Sequence, residues 1–236
     1  MKKIDVLDHG FVRLVESWGA GDSGEPESGI IEAARQSTQG SFRGWEKDEK
    51  LLRYLYSHNH ATPFEFCGMV VEVRAPIFVF REWHRHRTQS YNEMSARYSP
   101  LPSLNYIPSI ERIMMSNDKN KQAGSVKGAS GITFEMAELF RVMLTYQYNE
   151  FEESYQDALE TGVPKELARC GMPVGRYSQM RASANLRNWI GFLTLRMHPD
   201  AQWEIRQFAK AVGEIIKDKF PRTWKLFNDK VEVEND

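Results

Sequence analysis

The chain has 236 residues, 41% of them hydrophobic and 12% aromatic, with a formal net charge of −1. That length and apolar content supply a well-buried core and exclude general disorder; a charge near zero excludes a global field drawing the protein to nucleic acid or an anionic membrane. Cys67 and Cys170 are too few for a disulfide scaffold, Asp5 and Asp8 stand where a leader would be apolar, and no run nears the roughly 20 apolar residues of a membrane span, so a cytoplasmic protein is expected.

Residues 4–15 have β-like apolar content, and a glycine-rich loop at 19–29 leads into a short helical stretch around 31–35. In residues 48–58, Leu51, Leu52, Leu55 and Tyr56 recur at helical spacing. Residues 64–74 alternate, with Met69, Val71 and Val73 on one side and Glu72 and Arg74 on the other, which predicts a strand with one covered face. Pro76 suits the first residue of a helix running to about Ser90. That helix would put Phe80, Trp83 and Arg87 on one side and Arg81, His84 and Arg85 on an adjoining one. Pro100, Pro102 and Pro108 suggest extended backbone, and residues 117–131 are polar and glycine-rich, a composition that predicts mobility.

Residues 133–160 read as a long amphipathic helix, with Met136, Leu139, Phe140, Met143 and Leu144 on its apolar side and Gly162 ending it. Pro164 starts a short helix containing Arg169, and residues 174–184 read as a strand. Asn185 is placed to cap a helix reaching about Met197, and Asp200 to cap one reaching about Phe220, where Pro221 stops it. With no repeat and no linker, residues 1–236 are expected to form one mixed α and β domain.

The chemistry concentrates between Arg85 and Tyr98. Three arginines, a histidine, two serines and an asparagine crowd this stretch, with Glu93 the only acid. Guanidinium forks match phosphate or carboxylate in bidentate fashion, so the cluster points to a compact anionic ligand. A nucleic-acid reading would use Arg81, Arg85, Arg87 and Arg97 as a phosphate track with Tyr91 and Tyr98 as stacking surfaces, but no basic stripe extends it. The pairs His58/His60 and His84/His86 could in principle hold a metal; Arg85 and Arg87 beside the second pair oppose a dication, and no metal is expected. The run from Gly19 to Gly24 matches a dinucleotide loop in letters alone, because Glu25 and Glu27 follow where a pyrophosphate would lie. Neither cysteine has a legible base, and Ser90 and Ser95 belong to no recognisable triad.

Arg85, His86, Arg87, Ser90, Asn92, Ser95, Arg97 and Tyr98 together resemble the signature of the flavin-dependent thymidylate synthases. The segment from His60 through Thr62, Pro63 and Phe64 to Glu65 resembles that family's upstream motif, and Leu195–Arg196 with Ala201 to Ile205 resembles its C-terminal one. The likeness runs from about Ile4 to Phe220. It implies an α+β fold, mostly antiparallel sheet packed with helices around a long-helix core, assembled as a homotetramer with sites shared between subunits. It also implies reductive methylation of dUMP to dTMP, with carbon from 5,10-methylenetetrahydrofolate and electrons from NADPH through FAD, and no enzyme nucleophile.

The residue roles are likewise implied. Thr62, Arg85, His86, Arg87, Glu93, Asn185, Leu186 and Arg187 would bind FAD. Glu82, Trp83, His84, Arg85, Glu93, Met94, Ser95, Ala96, Arg97, Arg169 and Arg196 would contact dUMP, with Ser95 and Arg97 near its phosphate. His60 would lie near flavin and folate. Arg196 would stabilise negative charge on the pyrimidine as N3 ionises. The chain departs from the family pattern at Glu82, where glutamine is common, and at Gly191, where asparagine is.

Overall fold

A computed structural model describes residues 2–115 and 131–235, with side chains up to residue 231. Most of the 117–131 stretch therefore lies outside the described residues. Strands β1 (Lys3–Val6) and β2 (Gly10–Trp18) form a hairpin in register Val6↔Gly10. The loop after it is a folded turn, with Gly29 N–H donating to Gly19 O at 3.0 Å. Gly19 sits at φ +116°, and a Cβ there would meet the Cys67 sulfur at 2.2 Å, so only glycine fits. Helix α1 (Ser28–Arg35) and helix α2 (Trp45–Ser57) follow. A 3₁₀ turn, Thr62–Phe66, then leads into β3 (Gly68–Pro76).

Helix α3 (Ile77–Trp83) is shorter than predicted, and Ser90 opens strand β4 (Ser90–Glu93) instead of closing a helix. The cause is tertiary: the Tyr91 hydroxyl donates to Trp83 O at 3.1 Å and His86 O at 2.7 Å, folding residues 84–89 into a tight loop. Pro76 ends a strand, paired with Tyr177, and does not begin the helix.

Helix α4 (Ile110–Met114) occupies part of the region expected to be extended, capped by Ser109, whose Oγ accepts from Arg112 N–H at 3.1 Å. Helix α5 (Phe134–Glu160) matches the predicted long helix, but its apolar side is not in the core: Leu139 is 61% exposed, and of its residues only Ala137 and Tyr155 are buried. Helix α6 (Lys165–Ala168) runs into a 3₁₀ turn at Arg169 before β5 (Tyr177–Asn185). Asn185 caps α7 (Leu186–Arg196) as expected, its Oδ1 accepting from Asn188 N–H at 2.9 Å. Asp200 does not cap α8 (Trp203–Lys219), which starts after Gln202; Asp200 instead lies 3.6 Å from the His198 ring. Pro221 stops α8 and opens a helix absent from the sequence reading, α9 (Pro221–Asn235). The buried Glu27 carboxylate caps it, accepting from Arg222 N–H at 2.9 Å and Thr223 N–H at 2.7 Å.

The described strands form one antiparallel sheet in the order β1-β2-β3-β5-β4. No βαβ unit exists there to make the 19–24 glycines a dinucleotide loop. Met69, Val71 and Val73 face the same way as their partners Ala184, Ala182 and Met180, and all are buried. On the opposite face Glu72 pairs with Arg13 at 2.9 Å and Arg181 at 3.6 Å. Ile205, Phe208, Val212, Ile215 and Ile216 of α8 share one core with Trp83, Trp189 and Phe192. Among the described residues no helix is long and apolar enough to cross a membrane.

Candidate active site

Arg196 ends α7 and reaches back to the α3 terminus. Its Nε–H donates to His86 Nε2, its Nη1 to Glu82 Oε2 and its Nη2 to the Glu82 carbonyl, each at 2.9 Å. A guanidinium carries five N–H donors, so this clamp fixes the cation on three bonds and leaves two N–H groups for a ligand. Burial, and then the Arg196 charge, lower the His86 pKa to about 4. A neutral imidazole can accept the Arg196 bond, which assigns its proton to Nδ1. Its ring packs against Phe192 at 4.9 Å.

Burial raises the Glu82 pKa against the opposing pull of Arg196, and the Glu204 charge raises it further. Glu204 is itself buried, accepting from Arg112 Nε at 2.7 Å, Tyr106 at 3.2 Å and Gln202 at 2.9 Å. In this protomer the Glu82 carboxylate thus orients Arg196, a correction to its expected place at the uracil edge.

A second group lines a cavity of about 640 Å³ between α3, the 93–96 segment and the 166–174 segment. His84, Glu93, Met94, Ser95, Ala96 and Arg169 of the expected set all line it, joined by Arg81, Glu166, Cys170 and Ser178, which the sequence reading left out of the site. Met94 N–H donates to Gln179 O at 2.8 Å, fixing this wall to β5. Arg97 is displaced from the group. It lines a neighbouring hollow with Tyr98 and Lys165 and lies 3.5 Å from the Glu166 carboxylate.

The third group surrounds the start of α7. Arg187 is ion-paired with Glu65 of the Thr62–Phe66 turn, and Asn188 Nδ2 donates to Thr88 O at 3.0 Å. These contacts bring Thr62's turn, the helix start and the Arg85–Arg87 loop together. Arg85 and Arg87 are exposed, and no carboxylate of the described residues ion-pairs with them. Two free guanidinium groups beside a helix N-terminus form a donor set that suits a pyrophosphate, so the residues present fit FAD. His60 is exposed and lines a separate cavity of about 270 Å³ with Tyr56, Arg187 and Phe227.

Two expected ligands are corrected. Trp83 is fully buried in the core, its indole N–H donating to Gln89 Oε1 at 3.1 Å. Leu186 is fully buried too, and its N–H is taken by Cys67 O at 2.7 Å. Both follow the inward face of their helix, which a motif read as a contiguous string does not reveal. Cys67 is buried and its thiol pushed up to about 12 by desolvation, which makes it a poor nucleophile. No group of three or more metal-ligating side chains is assembled among the described residues. Ser178 and Glu204 could have been flagged as polar residues inside otherwise apolar strand and helix patterns.

The family described as thymidylate synthase complementing protein matches residues 13–222. A flavin-dependent thymidylate synthase of Thermotoga neapolitana is 38% identical over 225 residues, covering 95% of this chain and 94% of that protein. One of Thermus thermophilus is 40% identical over 226 residues, covering 96% of this chain and 78% of that protein. A solved structure of the UMP/dUMP methylase PolB from Streptomyces cacaoi, bound with 5-Br dUMP, superposes with a TM-score of 0.81 at 32% identity, covering 96% of this chain and 97% of that one.

Proposed function

This chain belongs to the flavin-dependent thymidylate synthase family, and on that premise we propose that it methylates dUMP to dTMP in the cytoplasm, taking carbon from 5,10-methylenetetrahydrofolate and electrons from NADPH. Bound FAD would supply the reducing equivalents. Thr62, Arg85, Arg87 and Arg187 would hold it, with Asn185 and Leu186 contributing the start of α7. Glu93 and the free Nδ1 side of His86 complete that set.

The observation that carries the reading is the Arg196 clamp. A cation fixed by three hydrogen bonds needs little reorganisation when charge develops beside it. Its two free N–H groups would meet the pyrimidine as N3 ionises, making C5 the better carbon nucleophile. Since C5 then attacks without help from an enzyme thiol, the buried Cys67 is no obstacle. Ser95, Arg97 and Arg169 would take the phosphate, Arg97 exchanging Glu166 for the ligand.

Arg196 and the 640 Å³ cavity lie on opposite flanks of α3's end, and Arg85 points into neither among the described contacts. This supports a homotetramer whose sites are completed by neighbouring copies, with His60 near flavin and folate. The test is an anaerobic assay with dUMP, methylenetetrahydrofolate, FAD and NADPH. dTMP formation that requires all four is expected; none above a protein-free control overturns the proposal.

A further inference from the structure

One polar atom on the wall of the 640 Å³ cavity has no role in the account above. Ser178 lies in β5, paired with Ala75 and facing the helix-covered side of the sheet with Met180. It is 1% exposed, and its Oγ has no hydrogen-bond partner among the described residues. Buried hydroxyls are nearly always paired, because leaving one unmade forfeits its hydration with nothing in return. Ser178 also lines the cavity, where Ile77, Phe80, Met172 and Val174 make the surrounding wall apolar.

The cavity is chemically divided. Its charged donors come from Arg81 and Arg169, with Ser95 beside them, whereas Ser178 is a short, neutral group set among hydrocarbon. A phosphate dianion belongs at the guanidinium end, where it meets opposite charge. A single neutral hydroxyl matches an uncharged oxygen, such as a base carbonyl or a sugar hydroxyl. We propose that Ser178 Oγ hydrogen-bonds the nucleoside part of the pyrimidine nucleotide, and is a specificity contact of this site. The inference rests on the proposed reading of the cavity as the nucleotide pocket and adds a residue to it.

The test compares the parent chain with Ser178→Ala, both loaded with FAD, by calorimetric titration with dUMP and by thermal melting without nucleotide. Alanine suits the fold, since the cross-strand neighbour is already Ala75. The expected result is about tenfold weaker dUMP binding, unchanged flavin absorbance, and a nucleotide-free melting temperature equal to or above that of the parent, because an unpaired hydroxyl has been removed. Unchanged dUMP affinity overturns the proposal. So does a lowered nucleotide-free melting temperature, which would mean that the hydroxyl serves the fold. A parent chain that binds no dUMP overturns the nucleotide reading itself, and that failure is visible before any substitution is made.

Discussion

At the scale of single residues, the Arg196 clamp makes the sharpest demands. Arg196→Ala should fold and retain FAD, because the free guanidinium groups of Arg85 and Arg87 are untouched. dTMP formation should fall about 10²- to 10³-fold, the usual loss when one preorganised donor to a developing anion is removed. Turnover equal to the parent's would remove Arg196 from the mechanism. His86 supplies an independent check. Its folded-state pKa of about 4 lies below the ordinary 6.5 because burial and Arg196 both oppose its charge. Between those two values the unfolded chain holds a proton that the folded chain lacks, so stability rises with pH across that window and falls as pH drops from about 6.5 towards 4. In an NMR titration the His86 ring should stay neutral down to about pH 5. Protonation near pH 6.5 with the fold intact would contradict the 2.9 Å bond from Arg196.

At the scale of elements, the loop between α3 and β4 holds the arginine cluster in place through one phenol. Tyr91→Phe removes both hydroxyl bonds, to Trp83 O and His86 O, while keeping the ring. The variant should lose about 1 kcal/mol of stability and bind FAD more weakly, read by flavin fluorescence, with dUMP affinity less affected. Unaltered FAD affinity would show that the loop needs no such tie. This loop also marks where sequence reading stopped. The alternation through Val71 and Val73 and the Asn185 cap were legible because local periodicity and a side-chain oxygen decide them. The end of α3 at Trp83 was not, since Tyr91, eight residues on, decides it. Nor was α9, whose cap is Glu27 from the far end of the chain. The site followed the same division. The contiguous motif named Ser95, Arg169 and Arg196 correctly as cavity or clamp residues, but it could not separate inward Trp83 and Leu186 from ligand-facing neighbours, nor place Ser178 on the wall.

At the scale of the molecule, α5 is the anomaly. Twenty-seven residues of helix, about 40 Å long, carry Met136, Leu139, Phe140, Val142 and Met143 in solvent, with Val142 66% exposed. Monomers rarely leave so continuous an apolar stretch uncovered, and the amphipathic pattern that predicted burial is satisfied once another copy covers it. The parent protein should therefore sediment at about four times 27.4 kDa, in line with the homotetramer proposed above. Leu139→Glu combined with Met143→Glu puts two carboxylates one helical turn apart on that face. Because both side chains are more than half exposed within the chain, far-ultraviolet circular dichroism should be unchanged. Sedimentation velocity should show dissociated protomers, and bound flavin and dTMP formation should be lost together, since sites assembled from several copies cannot survive their separation. A doubly substituted protein that dissociates yet keeps flavin and turnover would confine each site to one chain, and a parent that already sediments as a monomer would require another explanation for the uncovered helix.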